Sequence, residues 1–331
     1  MRVLVYSARP YDRHALEEAN AGQHELVFTE TALDEQTAAI AEDFPAVCLF
    51  VNDRASESVL ELLAGGETRM IAQRSTGYNN IDIAAAERLG VTAMRVGYYS
   101  PYSVAEHAVA LLQTLNRKTH RAYNRVREHN FLLDGLVGQD IHGRTVGILG
   151  TGKIGTAFAH IMHGFGCRLL GYDVAPNPAC EALGMRYVSP EDVAREADII
   201  SLHVPLTPET YHLIDTDFLA KTKPGIVLIN TSRGKLVDTG ALIESLKAGH
   251  VRAVGLDVYE EEEVLFFRDF SQRVVLDDSF SRLLSFPNVL VTAHQAFLTE
   301  EALATIAETT IRNISDFEAG RTNENTLTKA K

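Results

Sequence analysis

Six short apolar runs between residues 145 and 294 constrain the fold of this chain more than any other feature. Helical patterns separate these runs, which read TVGILG, RLLGYD, DIISLHV, GIVLIN, RAVGLDV and NVLVTAH. Runs that are nearly continuous in apolar residues are typical of parallel strands buried on both faces. The sequence therefore predicts a doubly wound α/β sheet in this half of the chain.

The first hundred residues contain a separate alternating series. The runs RVLVYS, ELVFT, AVCLFV, RMIAQRS and VTAMRV alternate with helical patterns such as SESVLELLAGG. This alternation predicts another parallel sheet. A segment from Pro101 to about His129 has no internal Gly or Pro, and we predict that it forms one long helix between the two series. Together these patterns predict two domains with a cleft between them.

The end of the chain is predicted to be a helix with a polar tail. The helix ends at Gly320, a residue that favours helix C-termini. It is a candidate to pack back on the first domain. The tail from Arg321 is polar, and we expect it to be frayed.

Charge and cysteine content exclude several classes of partner. The net charge of −13 argues against nucleic acid and anionic membranes, and no apolar run approaches the ~20 residues of a membrane span. Three cysteines without CxxC spacing favour a reducing compartment and argue against a zinc ribbon. The N-terminus runs directly into a strand-like segment. We therefore expect no signal peptide, a cytoplasmic protein, no resident metal and a small-molecule substrate.

A glycine loop follows the first run of the second series. Gly150, Gly152 and Gly155 have the spacing G-x-G-x-x-G between a buried strand and a helix, which is typical of dinucleotide binding. The next strand ends at Asp173, where a carboxylate can accept hydrogen bonds from a ribose and repel a 2′-phosphate. The following VAPNPA has no Arg or Lys, so NAD is favoured over NADP. A purely structural turn is the weaker alternative.

Three chemically active side chains follow three later strands. Arg233 comes after GIVLIN, four glutamates come after RAVGLD, and His294 comes after NVLVTA. Ligands bind beyond the carboxyl ends of parallel strands. An Arg can form a bidentate contact with the carboxylate of a 2-keto acid, and a His can exchange a proton with the carbonyl oxygen. A Glu can stabilise the imidazolium. Each residue alone also fits a structural role. His203, at another strand end, is predicted to line the cofactor cleft.

The motifs GTGKIG, SLHVPLTPET, LINTSRGKLVD, GLDVYEEE and NVLVTAHQAFLT resemble, in order and spacing, the D-isomer-specific 2-hydroxyacid dehydrogenases. Longer stretches, among them STGYNNIDIAAAERLG and TAHQAFLTEEAL, resemble the fermentative D-lactate dehydrogenases of that family. The resemblance is dense from about Arg69 to Gly320. It departs at Gly97-Tyr98, where relatives usually have Pro-Ala.

The resemblance implies roles for individual residues. Arg233 binds the substrate carboxylate and carbonyl, Glu262 pairs with the catalytic His, and His294 exchanges the proton. The substrate contacts that it implies are Gly77, Tyr78, Tyr99, Phe50 and Phe297. The NAD contacts that it implies, beside the three loop glycines, are Lys153, Ile154, Asp173, Val204, Pro205, Thr210, Thr231, Ser232, Arg233 and Asp257.

The resemblance also implies an architecture and a reaction. Residues 1–100 and 297–331 form a smaller, flavodoxin-like substrate domain, and residues 101–296 form a Rossmann NAD domain, in a homodimer or homotetramer. The expected reaction is reversible reduction of pyruvate by NADH to D-lactate. A D-2-hydroxyacid dehydrogenase for a larger 2-keto acid, or an NAD-sensing protein similar to corepressors, remains an alternative.

Overall fold

The computed structural model describes residues 1–329, which divide into two compact units. The first unit combines residues 1–100 with the chain from Leu298 onward, and the second is Pro101–Phe297. The last two positions of the predicted tail, 330 and 331, lie outside the described residues. No helix in the described part of the chain is long and apolar enough to cross a membrane.

The first unit contains a five-stranded parallel sheet. Its strands are β1 (Arg2–Val5), β2 (Glu25–Phe28), β3 (Ala46–Leu49), β4 (Met70–Gln73) and β5 (Thr92–Arg95). They lie in the order β2-β1-β3-β4-β5, which is the flavodoxin-like order. Its helices are α1 (Pro10–Asn20), α2 (Glu57–Gly65), α3 (Ile83–Leu89) and the C-terminal α12 (Glu300–Glu318), with a 3₁₀ turn at Ala38–Ala41.

Both faces of this sheet are covered, because successive strand residues point to opposite sides. Val3 and Val5 pack in one apolar cluster with Ile311 of α12, whereas Leu4 packs in another with Leu60 of α2. Fully burying an aliphatic side chain contributes roughly 1.5–3 kcal/mol. The cluster of Val3 and Val5 therefore holds α12, from the far end of the sequence, onto the N-terminal sheet, and the cluster of Leu4 holds α2 on the other face.

The second unit contains a seven-stranded parallel sheet. Its strands are β6 (Thr145–Leu149), β7 (Arg168–Tyr172), β8 (Arg186–Tyr187), β9 (Ile199–Leu202), β10 (Ile226–Asn230), β11 (Val251–Leu256) and β12 (Val289–Val291). From β8 the order is β8-β7-β6-β9-β10-β11-β12, which begins with the 3-2-1-4-5-6 order of a Rossmann sheet. The prediction of two doubly wound parallel α/β domains is confirmed.

Helices and short 3₁₀ turns connect the strands of the second unit. The helices are α4 (Pro101–Arg117), α5 (Thr119–Arg127), α6 (Lys153–Gly164), α7 (Pro178–Glu181), α8 (Pro190–Glu196), α9 (Thr216–Lys221), α10 (Thr239–Lys247) and α11 (Asp278–Leu284). The 3₁₀ turns are Gly234–Leu236 and Glu262–Val264. Val146 packs with residues of α4 and α6, and Ile200 with residues of α8 to α10, so both faces of this sheet are also buried.

The prediction of one long helix from Pro101 to His129 was wrong. The helix breaks at Lys118, whose φ of 51° lies in the left-handed region, and a shorter helix follows. The segment around Gln139 supports the break, because the Asn116 side chain exchanges hydrogen bonds of 2.7 and 3.0 Å with the Gln139 backbone. The Lys118 ammonium donates to the carbonyl of Val137. These partners are distant in sequence, so helical periodicity does not reveal the break.

The expectation of a frayed tail was also wrong. The N–H of Arg95 donates to the carbonyl of Asn325 at 3.0 Å, and the N–H of Leu327 donates to the carbonyl of Ala93 at 2.8 Å. Asn325 is buried, and its Oδ1 accepts from the N–H of Gly97 at 3.2 Å. A Cβ at Gly97 would lie 2.7 Å from that oxygen. The absence of a side chain at Gly97 therefore allows the C-terminal segment to pack against the end of β5.

We expect Asn325→Ala to lower the free energy of unfolding by about 1–3 kcal/mol, because it removes the hydrogen bonds of a buried side chain to the Gly97 N–H and to Oδ1 of Asn313. Urea unfolding followed by circular dichroism measures the change. Thr322→Ala, at an exposed position of the same tail, is the control and should change stability by less than about 0.5 kcal/mol. Equal effects of the two substitutions would contradict the proposed anchoring of the tail.

Candidate active site

The predicted residues of the second unit gather beyond the carboxyl ends of its strands. Gly150 follows β6, Asp173 follows β7 and His203 follows β9. Thr231, Ser232 and Arg233 follow β10, and Asp257 follows β11. His294 lies three residues beyond the end of β12. Because all these strands are parallel, their carboxyl ends form one edge of the sheet.

The glycine loop has the conformation that dinucleotide binding requires. Gly150 has a φ of +96°, and a Cβ there would lie 2.5 Å from the backbone of His203. A Cβ at Gly155 would lie 1.9 Å from the carbonyl oxygen of Gly150. At Gly152, by contrast, a Cβ would meet no atom within 4 Å. Two glycines therefore permit tight packing, while the third leaves its outer side open.

A hydrogen-bond network that the sequence did not reveal holds this loop. The N–H of Thr151 donates to Oδ2 of Asp173 at 2.6 Å, and the Tyr187 hydroxyl donates to Oγ1 of Thr151 at 2.8 Å. The side-chain amide of Asn177 donates to the Thr151 carbonyl at 2.9 Å. Asp173 thus joins the end of β7 to the glycine loop. In the described residues, its other oxygen, Oδ1, accepts only the N–H of Ala175, at 3.2 Å.

The loop after β10 holds Arg233 beside a buried hydroxyl. Oγ1 of Thr231 is buried and has no hydrogen-bond partner in the described residues. The Ser232 hydroxyl donates to the carbonyl of Val204 at 2.6 Å, which joins this loop to the one after β9. Nη1 of Arg233 donates to the Ser232 carbonyl at 2.7 Å. A buried hydroxyl without a partner is expected where a ligand completes its hydrogen bond.

These observations fit a dinucleotide. The open side at Gly152 lies at the N-terminus of α6, where no side chain caps the helix in the described residues. A pyrophosphate binds favourably to such N–H groups. Asp173 is partly exposed at the ribose position, and Thr231 offers an unsatisfied hydroxyl. The roles of Lys153, Ile154, Val204 and the remaining predicted contacts stay predictions. Among those contacts, Thr210 donates to the carbonyl of Pro205 at 2.7 Å.

Glu262 and His294 form a direct pair. Nδ1 of His294 lies 2.8 Å from Oε1 of Glu262, and both side chains are about one-fifth exposed, at 21% each. The other carboxylate oxygen of Glu262 accepts the N–H of Tyr259 at 2.9 Å. This geometry places a proton on Nδ1 and leaves Nε2 as the nitrogen available to a substrate.

The loop that carries His294 depends on the buried carboxylate of Asp257. Oδ1 accepts the Thr292 hydroxyl at 2.5 Å and the N–H of Gln295 at 2.9 Å. Oδ2 accepts the N–H of Ala296 at 2.8 Å, and the N–H of His294 donates to the Asp257 carbonyl at 2.7 Å. Burial raises the pKa of Asp257, but these hydrogen bonds outweigh it and hold the pKa below its ordinary value.

His107 of α4 extends this arrangement. Its Nε2 lies 3.0 Å from the Thr292 hydroxyl and 3.3 Å from Oδ1 of Asp257. The family resemblance implies an NAD contact for Asp257, and no sequence pattern points to His107. The structure shows that Asp257 positions the loop of His294 through several donors. The donors lie far from Asp257 along the chain, so the sequence alone does not reveal this arrangement.

The Arg233 loop packs directly against the glutamate loop. A Cβ at Gly234 would lie 2.0 Å from the carbonyl oxygen of Tyr259 and 2.5 Å from the nitrogen of Glu260. Glu260 accepts from the Thr239 N–H at 3.2 Å and lies 2.7 Å from Nε2 of His212. Glu260 therefore fixes the loop, while Glu261 and Glu263 are exposed.

The remaining predicted substrate contacts are divided between the two units. Gly77, Tyr78, Tyr99 and Phe50 belong to the first unit and Phe297 to the second. Tyr78 is 37% exposed and lies under the guanidinium of Arg95, 4.9 Å from the ring centroid. Phe50 and Phe297 are buried, at 6% and 9% exposure. Their roles toward a substrate stay predictions.

Comparison with known proteins identifies the family of this chain. Residues 109–296 match the family described as D-isomer specific 2-hydroxyacid dehydrogenase, NAD binding domain. The D-lactate dehydrogenase of Escherichia coli is 48% identical over 328 residues, covering 99% of this chain and 100% of that protein. Its apo structure has a TM-score of 0.92 at 46% identity and covers 99% of this chain and 100% of that one. A structure of the pyruvate reductase of Chlamydomonas reinhardtii has a TM-score of 0.94 at 44% identity, covering 98% of both chains.

Fold, site and comparisons define an NAD-dependent oxidoreductase built from two doubly wound domains. The chain belongs to the D-isomer-specific 2-hydroxyacid dehydrogenase family. The predictions of family, enzyme class and NAD cofactor are confirmed.

His203 is a neutral histidine in this site. Its Nε2 lies 2.9 Å from the Ser201 hydroxyl, and its ring packs 5.1 Å from that of Phe158. Burial lowers the pKa of His203 to about 3. The imidazole therefore stays uncharged at neutral pH and helps to shape the end of β9, where Gly150 packs on its backbone.

The lowered pKa of His203 predicts how stability depends on pH. Between its unfolded value of about 6.5 and its folded value of about 3, the unfolded chain binds the extra proton, so acid favours unfolding. This residue alone should remove about 1–2 kcal/mol between pH 7 and pH 5. We expect His203→Gln to flatten the pH dependence of urea unfolding by that amount. The exposed His160→Gln is the control, and identical slopes in both variants would refute the assignment.

Proposed function

We propose that this protein is a D-lactate dehydrogenase that reduces pyruvate with NADH and runs in reverse on D-lactate. The observation that carries the proposal is the His294–Glu262 pair beside the Arg233 loop, at the strand ends that follow a dinucleotide loop. Two relatives support the choice of substrate, since they are a D-lactate dehydrogenase and a pyruvate reductase by name.

His294 acts as the general acid in reduction. Nδ1 is engaged by Glu262, so Nε2 of the imidazolium donates a proton to the carbonyl oxygen of the keto acid. In oxidation the neutral ring accepts the hydroxyl proton at the same nitrogen. Glu262 serves both directions by fixing the orientation of the ring, and the Tyr259 N–H holds Glu262 in place for this role.

Arg233 binds the substrate and polarises its carbonyl. A guanidinium has five N–H donors, and Nη1 is already oriented by the Ser232 carbonyl. The remaining donors can fork onto a carboxylate and reach the neighbouring keto oxygen. Bound NADH supplies the hydride that this carbonyl carbon receives. As negative charge develops on the oxygen, Arg233 and His294 stabilise it from the protein side.

We also propose that the protein is a cytoplasmic homodimer or homotetramer. The side chains of Phe131, Leu132 and Leu133 support assembly, because they are 70%, 66% and 78% exposed and consecutive in the chain. Exposed apolar patches of this kind often mark protein interfaces.

Loss of NADH absorbance on adding pyruvate tests the proposed reaction, with the lactate enantiomers separated by chiral chromatography. We expect turnover to D-lactate, and a higher kcat/KM for pyruvate than for branched 2-keto acids. A preference for a larger keto acid would instead support a different D-2-hydroxyacid dehydrogenase. NADH binding without turnover of any 2-keto acid would favour a sensing protein.

Glu262→Gln should lower kcat/KM for pyruvate reduction by about 10²–10⁴-fold, the range of general acid catalysis. The imidazole loses the carboxylate that orients it for proton transfer. Glu263→Gln, an exposed neighbour in the same loop, is the matched control and should retain the rate. A kcat/KM of Glu262→Gln that matches the control would show that another group performs this role.

A further inference from the structure

A cavity lies at the opposite edge of the seven-stranded sheet from the candidate active site. Its volume is about 250 Å³, and all its lining residues belong to the second unit. Arg144 immediately precedes β6, Asp198 precedes β9, and Asn288 precedes β12. The cavity is therefore formed at the amino ends of the strands, whereas the glycine loop and His294 follow their carboxyl ends.

The walls of this cavity are strongly cationic in an acidic protein. Five cationic side chains line it, together with only two carboxylates. The cations are Lys118, Arg121, Arg144, Lys223 and Arg252. This local excess of positive charge contrasts with the net charge of −13 for the whole chain. A concave surface lined by one sign of charge concentrates ions of the opposite sign.

Most of these cations have no carboxylate to neutralise them. Lys223 pairs with Asp198 at 2.9 Å. Within the described residues, no ion pair joins Lys118, Arg121, Arg144 or Arg252 to an acid, and Asp140 offers Arg144 only its backbone carbonyl, 3.3 Å from Nε. The charge of Arg144 also acts on Asp198, whereas no carboxylate pairs with Lys118, Arg121 or Arg252 in the described residues. Three cations therefore converge without an acidic partner.

The cationic side chains also repel one another. Burial, together with the charges of Arg252 and Arg121, lowers the pKa of Lys118. Burial and the charge of Arg144 likewise lower the pKa of Arg252. Like charges held this close destabilise the folded chain unless a counter-charge lies among them. The arrangement is consistent with a bound anion.

A buried ring nitrogen lies in the same wall. Nδ1 of His120 makes no hydrogen bond of good geometry within residues 1–329, although the Thr114 backbone acts on the ring and opposes the effect of burial, which lowers the pKa of His120. The ring therefore has a weak partner in the protein, and a polar group in the cavity can add a second. As a ring nitrogen, Nδ1 can donate to an oxyanion beside the guanidinium groups.

We propose that this cavity binds a small multivalent phosphate, held by Lys118, Arg121, Arg144 and Arg252. Guanidinium forks match the oxygens of a phosphate in pairs, and the ammonium of Lys118 adds a compact charge. The cavity has room for a pyrophosphate or a small phosphorylated metabolite. It is separate from the dinucleotide loop, which lies at the other edge of the sheet.

Isothermal titration with inorganic pyrophosphate tests the proposal, at constant ionic strength and with saturating NADH to fill the glycine loop. We expect one binding event per chain, weakened at least tenfold in Arg121→Gln/Arg252→Gln. The matched control is Arg186→Gln/Arg195→Gln, which removes two exposed arginines paired with Glu196 and Asp192 in the same unit. It should keep the affinity within twofold.

Three results would overturn the proposal. The first is the absence of pyrophosphate binding to the unmodified protein. The second is equal weakening in both double variants, which would indicate only bulk charge. The third is a change of oligomer mass by light scattering in the cavity variant without any effect on pyrophosphate, because the cations would then face a second copy of the chain.

A second variant covers the case in which Arg121→Gln/Arg252→Gln does not fold. Lys118→Gln removes a single cavity charge and should weaken pyrophosphate at least threefold, and unchanged affinity in a folded Lys118→Gln variant would also contradict the proposal. The titration needs no turnover. Failure of the dehydrogenase assay would therefore leave this result interpretable, and failure of the titration would leave the proposed reaction intact.

Discussion

The buried carboxylate of Asp257 is the interaction on which the catalytic edge of the second unit depends. It gathers donors from three places in the chain, namely the end of β12, the loop beyond it and His107 of α4. These bonds hold His294 at a φ of 51°, a left-handed conformation that costs a residue with a Cβ roughly 1–2 kcal/mol. Several hydrogen bonds to a charged group can offset that cost. His294, the proposed proton donor, is thus held in an unfavourable conformation by residues that have no part in the proposed proton transfer.

Much of this arrangement could be predicted from the sequence because parallel strands impose it. Once the apolar runs are recognised as buried parallel strands, their carboxyl ends must share an edge, and whatever follows them must meet there. Gly150, Arg233 and His294 were located by this reasoning alone. Glu262 was not: four consecutive glutamates are equivalent by pattern, and only the family resemblance distinguished one. In the structure it differs from Glu261 and Glu263 by its contact with His294.

The features that escaped prediction all depend on contacts between distant segments. The helix break at Lys118 is supported by residues near 137–139, and the ordered tail pairs with β5. The periodicity of apolar residues depends only on positions that are close in the sequence, so it does not predict such contacts. The cationic cavity is a further case, because Lys118 and Arg252 are 134 positions apart in the sequence. Their approach is visible only after the sheet has been assembled.

The close contact at Gly234 has a consequence for how this enzyme can be altered. Because the absence of a side chain at Gly234 lets the arginine loop rest on the backbone at Tyr259, Arg233 and Glu262 are joined through one tightly packed junction. A shift of one loop should therefore displace the other. Efforts to change the range of accepted acids should leave this junction untouched and redesign side chains elsewhere.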